Sequence, residues 1–176
     1  AVITNTGKSS IKITRANSVC LDIPKNSWDL VHFYGKHAME RQFERVPLMR
    51  GIQEVSSKRG TSSHQHNPSI ILCQKDCTET TGICIGALLI YSGSFKAQVE
   101  VDQLEQTRLT MGINDNNFSW ILKENQEFYT PEVILSYSSN GFEKLSHNFH
   151  SVIRNNICRG KYKLSERPIL INNWEA

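Results

Sequence analysis

The chain has 176 residues and a mass of 20.1 kDa, enough for one full-sized domain and too little for two. Apolar residues make up 39% and charged residues 21%, ordinary globular values that exclude disordered and collagen-like classes. Mean hydropathy is −0.39 and no apolar run approaches about eighteen residues, so no transmembrane helix is expected. The net charge of +3 is spread over scattered Lys and Arg, which argues against a nucleic-acid partner. No charged-then-apolar signal segment opens the chain.

Period-two alternation dominates the reading in chain order. Ile11–Ile13, Ser18–Leu21, Leu30–Tyr34 and Ile52–Ser56 are the early strand candidates. The run from Ile83 to Tyr91 is nearly all apolar, which fits a strand covered on both faces. Phe95, Ala97, Val99 and Val101 then alternate with Lys96, Gln98, Glu100 and Asp102, the pattern of a strand with one wet face. Leu109, Met111 and Ile113 repeat that pattern, and Val133, Leu135 and Tyr137 line one face of a further strand. Turn-forming clusters separate these runs at Ser92-Gly93-Ser94, Asn114 to Asn117 and Lys123 to Gln126. The expected fold is mainly β, an antiparallel sandwich.

After Tyr137 the period changes. Phe142, Leu145, Phe149, Val152, Ile153 and Ile157 recur at helical spacing, predicting one amphipathic helix of about four to five turns. Asn140 followed by Glu143 resembles a capping box, and Gly160 stands where a C-terminal cap is expected. A basic link follows to Arg167. Pro168-Ile169-Leu170-Ile171 then reads as a buried strand, more natural as the first strand of an α/β domain than as the end of a sandwich. The chain opens on Ala1 without an initiator Met and stops just after that apolar run, so both ends read as cut.

The five cysteines do not read as a disulfide scaffold, the count being odd and the chain long. Cys20, Cys84 and Cys158 lie among apolar residues and read as small buried hydrophobes. Cys73, Cys77 and Cys84 could be read as a zinc site, but they lack paired C-x-x-C spacing and a fourth ligand. A hairpin carrying free thiols in a reducing compartment is the expected reading. His64 and His66, two apart, would share a strand face and could supply half a metal site; structural histidines are the favoured alternative. His147 and His150 fall off the apolar stripe of the helix. The aromatic set Phe33, Tyr34, Phe95, Phe118, Trp120, Phe128 and Tyr129 could form a sugar-binding platform, but most occupy positions where core packing is expected.

Three segments resemble one family in order and spacing: Arg59 to Pro68, Tyr91 to Gln103, and Arg167-Pro168-Ile169-Leu170-Ile171-Asn172-Asn173-Trp174-Glu175-Ala176. Met111-Gly112-Ile113-Asn114, Phe118-Ser119-Trp120 and Thr130-Pro131-Glu132-Val133 fit the same pattern. Together they resemble the α-galactosidases of glycoside hydrolase family 36. The resemblance implies the later part of an N-terminal β-supersandwich over residues 1–138, a linking helix and linker over 139–167, and the first strand of a (β/α)8 catalytic barrel over 168–176.

That family's two catalytic aspartates lie on later barrel strands. Asp22, Asp29, Asp76, Asp102 and Asp115 match neither, so the chain by itself is expected to be inactive and to have no catalytic residue. Two positions are candidates for substrate binding in the intact parent. Trp174 matches the family tryptophan at the end of the first barrel strand, where its indole could face a galactose ring; a core anchor is the alternative. His37, in Gly35-Lys36-His37-Ala38-Met39-Glu40-Arg41, resembles a loop that approaches the barrel mouth, where some members carry Trp; an ordinary exposed histidine is the alternative.

The resemblance implies no metal and no cofactor, an α-galactoside oligosaccharide of melibiose or raffinose type as partner, and a cytoplasmic homo-oligomer, with the homotetramer common among bacterial relatives. It also implies exposed apolar surface where a barrel should pack. The competing reading is a stand-alone β-sandwich module that binds carbohydrate or protein.

Overall fold

The computed structural model describes residues 1–24 and 27–173. Among the described residues thirteen strands run in chain order: β1 (Val2–Thr4), β2 (Ile11–Ile13), β3 (Asn17–Ile23), β4 (Trp28–Lys36), β5 (Met39–Pro47), β6 (Gly51–Ser56), β7 (His66–Gln74), β8 (Cys84–Ile90), β9 (Phe95–Val101), β10 (Thr107–Ile113), β11 (Trp120–Leu122), β12 (Glu127–Tyr129) and β13 (Glu132–Ser138). One helix follows, α1 (Gly141–Val152), and continues as a π-helical turn, Ile153–Ile157.

Two sheets face each other. One has the order β13-β8-β7-β4-β5 and the other β3-β10-β9-β6, every pairing antiparallel. The alternation read from the sequence explains the contact. Phe95, Ala97 and Val99 of β9 point inward with Leu109 and Met111 of β10, against Leu30, Ile70, Leu72, Ala87 and Leu89 of the other sheet. Each of the larger side chains withdrawn from water contributes about 1.5–3 kcal/mol, the two alanines less. Two small sheets, β1 with β12 and β2 with β11, close one end over Ile13, Ile113, Leu122 and Phe128.

The five-stranded sheet is covered on its second face as well. Val31, Ile71, Cys73 and Cys84 point away from the sandwich and pack against Phe142, Leu145 and Phe149 of α1. Gly86 makes this approach possible, since a Cβ there would lie 2.5 Å from the Phe149 ring. β8 is thus buried from both sides, as its unbroken apolar run predicts.

The helix start differs from the expected capping box. Asn140 occupies the cap position, but its side chain makes no cap bond and accepts from Ser139 Oγ instead. The free N–H groups of the first turn go to the β7–β8 connection: Gly141 N to Gly82 O at 3.0 Å, Phe142 N to Thr78 O at 3.0 Å, and Glu143 N to Glu79 O at 2.9 Å. Gly141 adopts φ +72, and a Cβ there would stand 2.4 Å from the Thr78 and Glu79 carbonyl oxygens, so the docking requires glycine. Gly160 lies beyond Cys158, where the helical segment ends, and belongs to the next turn.

Two further expectations change. Cys20 is exposed, because β3 is an edge strand of the four-stranded sheet and Cys20 sits on its uncovered face beside Thr110. Pro168 to Ile171 forms no strand among the described residues; Ile169 is 94% exposed, with no neighbouring strand to pair with. β5, β7, β11 and β12 were not singled out by the sequence pattern, and β1 was not either.

Candidate functional site

The candidate site is the β4–β5 hairpin, whose tip is His37 and Ala38. Lys36 pairs with Met39, leaving a two-residue turn with Ala38 at φ 62. The Ala38 N–H donates to Glu40 Oε1 at 3.0 Å. The Glu40 backbone N–H, and after it this bond from Ala38, holds the Glu40 carboxyl below its ordinary value, and the nearby His37 and His64 add to the effect. His37 is exposed at the tip. His64 is exposed too, so His37, Glu40 and His64 gather at one end of the sandwich.

The segment Arg59 to Pro68 supports this end. Gly35 N donates to Gln65 O at 3.1 Å, tying the hairpin to it. Ser62 N to Ser92 O at 2.8 Å and Gly60 N to Ser94 Oγ at 2.8 Å fasten the same segment to the turn after β8. Asn114, buried just past β10, donates to Ser57 O at 3.0 Å and Phe95 O at 3.2 Å, satisfying its amide while tying together three strand ends of the four-stranded sheet. Segments far apart in sequence, each part of the family pattern, thus meet at one end. Trp174, the second candidate, lies outside the described residues.

His64 and His66 do not form one site. His66, at the start of β7, is half-buried against His32, their ring centroids 6.0 Å apart. No group of three or more His, Cys, Asp or Glu side chains that could hold a metal occurs among the described residues. Cys73 and Cys84 face each other directly across the β7–β8 hairpin, and Cys77 sits in its connection. All three are buried free thiols, and burial pushes Cys73 and Cys84 up to about 12. Such thiols are poor metal ligands and poor nucleophiles at neutral pH.

Four of the five aspartates serve the fold. Asp29 binds Arg45 at 2.8 Å, Asp22 binds Arg108 at 2.6 Å, and Asp115 binds Lys96. Asp102 Oδ1 accepts from the Leu104 and Gln106 N–H groups, both at 2.8 Å, closing the β9–β10 turn. The aromatic set is dispersed. Phe95 is in the main core, while Phe118 and Trp120 pack on Phe128 in the cluster beneath the two small sheets. His147 and His150 are exposed on α1. A groove of about 580 Å³ runs between α1 and the five-stranded sheet, its apolar walls including Phe33, Phe43, Ile71, Phe142 and Phe149.

The fold is a two-sheet antiparallel β-sandwich with a helix docked on one outer face. Residues 1–123 match the glycosyl hydrolase family 36 N-terminal domain, and residues 127–176 match melibiase. The chain belongs to glycosyl hydrolase family 36.

Among its relatives is the bifunctional alpha-galactosidase/sucrose kinase AgaSK of Mediterraneibacter gnavus, 51% identical over 174 residues, covering 99% of this chain and 19% of that one. The alpha-galactosidase AgaA of Geobacillus stearothermophilus is 44% identical over 172 residues, covering 98% and 24%. The solved galactosidase domain of AgaSK superposes with a TM-score of 0.95 at 51% identity, covering 99% of this chain and 24% of that one. A variant of Geobacillus stearothermophilus AgaA in complex with stachyose superposes with a TM-score of 0.96 at 43% identity, with the same coverage. The chain therefore spans about a quarter or less of the length of the relatives it matches. No helix among the described residues is long and apolar enough to cross a membrane.

Proposed function

We propose that this chain is the non-catalytic N-terminal part of an α-galactosidase that removes terminal α-galactosyl groups from oligosaccharides of the melibiose and raffinose type with retention. The observation that carries this reading is the end-to-end match to α-galactosidases, which continues into the melibiase region at residues 127–176. That continuation favours an enzymatic parent over a stand-alone binding module. Retention requires two carboxyl groups roughly 5–5.5 Å apart. Asp22, Asp29, Asp102 and Asp115 are engaged in the pairs and turn described above, so the reacting carboxylates belong to the rest of the parent.

Within the parent, residues 1–138 form the sandwich unit, 139–167 the linking helix and linker, and 168–176 the start of the barrel. The pairing of β13 with β8 supports the first boundary. The sandwich supplies a wall of the active-site mouth through the β4–β5 hairpin. His37 offers two ring nitrogens to sugar hydroxyls, and Trp174 offers an indole face to the apolar side of the galactose ring. The parent is a cytoplasmic homo-oligomer, a homotetramer, in keeping with its five free thiols.

The test compares the 176-residue chain with the full-length protein on a nitrophenyl α-galactoside. Only the full-length protein is expected to release nitrophenol, and His37→Ala in it is expected to raise KM with kcat nearly unchanged. Activity of the short chain would overturn the assignment, and unchanged kinetics would remove His37 from the site.

A further inference from the structure

Four of the six histidines in the chain, His32, His37, His64 and His66, gather at the hairpin end. Two of them form a feature that sugar recognition does not explain. His32 projects from β4 and His66 from the first position of β7, their ring centroids 6.0 Å apart and their planes tilted by 55°. His32 Nε2 lies 3.4 Å from Glu44 Oε2 on β5, and the Tyr34 ring lies 6.4 Å from His32. Nδ1 of both imidazoles is buried without a hydrogen-bond partner among the described residues.

We propose that the His32–His66 pair is a proton-sensitive clasp, holding the β4–β5 hairpin against the start of β7 at neutral pH and releasing it on acidification. The backbone here is suited to opening. The β4–β7 ladder shifts register between His32 and Tyr34, and the β4–β5 ladder shifts again between Tyr34 and Lys36. Side-chain packing around the two rings therefore takes over where the regular ladder is interrupted.

The groups set against His66 are His32 from β4 and Glu44 from β5; its strand partner is Tyr34, and His64, two residues ahead, lies near Glu40. A proton on His66 thus meets a second imidazole, with Glu44 as the one carboxylate acting on it. Burial and the neighbouring His32 hold His66 below its ordinary value of 6.5. The folded corner then binds fewer protons than the opened one, so its local stability is full above about pH 6.5 and falls as the pH drops below it. Each unit of that displacement corresponds to up to about tenfold more opening on full acidification.

The test is hydrogen exchange on the full-length protein from about pH 7.5 to about pH 5.5, corrected for the intrinsic pH dependence of exchange. Peptides covering residues 34–43 and 64–69 are expected to open several-fold more at the lower pH, while peptides from β9 and β10 hold their protection. His66→Phe, a neutral ring, is expected to abolish the difference. Ring NMR of unsubstituted protein provides a second readout that needs no variant, and His66 is expected to titrate below the ordinary histidine value of 6.5. Exchange that ignores pH, an equal pH response in His66→Phe, or His66 titrating at or above 6.5 would each overturn the proposal. The clasp does not depend on the galactosidase reading, because neither readout requires activity.

Discussion

Arg45 is the side chain whose loss should travel furthest. From β5 its guanidinium donates through Nε to Asp29 Oδ2 at 2.8 Å, and through its terminal nitrogens to Cys77 O at 2.8 Å, Gln74 O at 2.9 Å and Lys75 O at 2.8 Å. Asp29 is 11% exposed at the side chain, and its other oxygen is buried without a hydrogen bond among the described residues. Arg45→Ala leaves that carboxylate uncompensated and three carbonyls short of a donor. Breaking a buried pair from one side costs about 3–5 kcal/mol. The Arg45 side chain is 25% exposed, so the lower end, about 3 kcal/mol, is expected.

The cost should not stay local. The carbonyls that Arg45 holds belong to the start of the connection whose later residues receive the first N–H groups of α1. Urea denaturation measures the loss, and hydrogen exchange should show α1 loosening with the 74–82 connection. Asp29→Asn in the Arg45→Ala background should recover about 1–2 kcal/mol, giving a clear coupling in a double-mutant cycle. A loss under about 0.5 kcal/mol, the range of ordinary surface substitutions, would refute the argument. So would strictly additive single changes.

Two more outcomes follow from the ionisable groups. The Lys96 hydrogen bond holds the Asp115 carboxyl below its ordinary value of 3.8, so its stabilising contribution is complete above about that pH and disappears as the pH falls through the folded value. Asp115→Asn should flatten acid denaturation in that window; an unaltered acid limb would show the pair to be inert. Among the thiols, exposed Cys20 should react first with N-ethylmaleimide, with Cys73, Cys77 and Cys84 protected until unfolding. Mass spectrometry of briefly labelled native protein reads the order, and early labelling of Cys73 would contradict the burial described.

The parts legible in the sequence are those where one face is wet and the other dry. β9 and β10 announce themselves by alternation, and α1 by its apolar stripe, because burial on one side writes a period into the chain. β5 escaped notice for the opposite reason. It is an edge strand, and Met39 to Glu44 is exposed throughout, so no alternation is imposed. The helix cap was misread because its donors find partners about sixty residues upstream, beyond the reach of a local motif. The meeting of His32 and His66 was equally hidden, since it depends on a register shift between β4 and β7. His37 was recognisable only as part of a family-like segment; its exposure at a two-residue turn came from the fold.

The seat of α1 on the β7–β8 connection carries a consequence for sequence change. Loops between strands are ordinarily where a chain absorbs insertions, because little depends on their exact length. This one is different. Thr78, Glu79 and Gly82 receive the first helical donors, and Gly141 lies too close to their backbone to admit a side chain. One added residue between Cys77 and Gly82 would displace three acceptors at once and tilt everything downstream of Ser138, linker included. The same insertion at the β9–β10 turn would spend itself in solvent. Length variation among related chains should therefore collect at the second place and be absent from the first, however freely the residues themselves are exchanged.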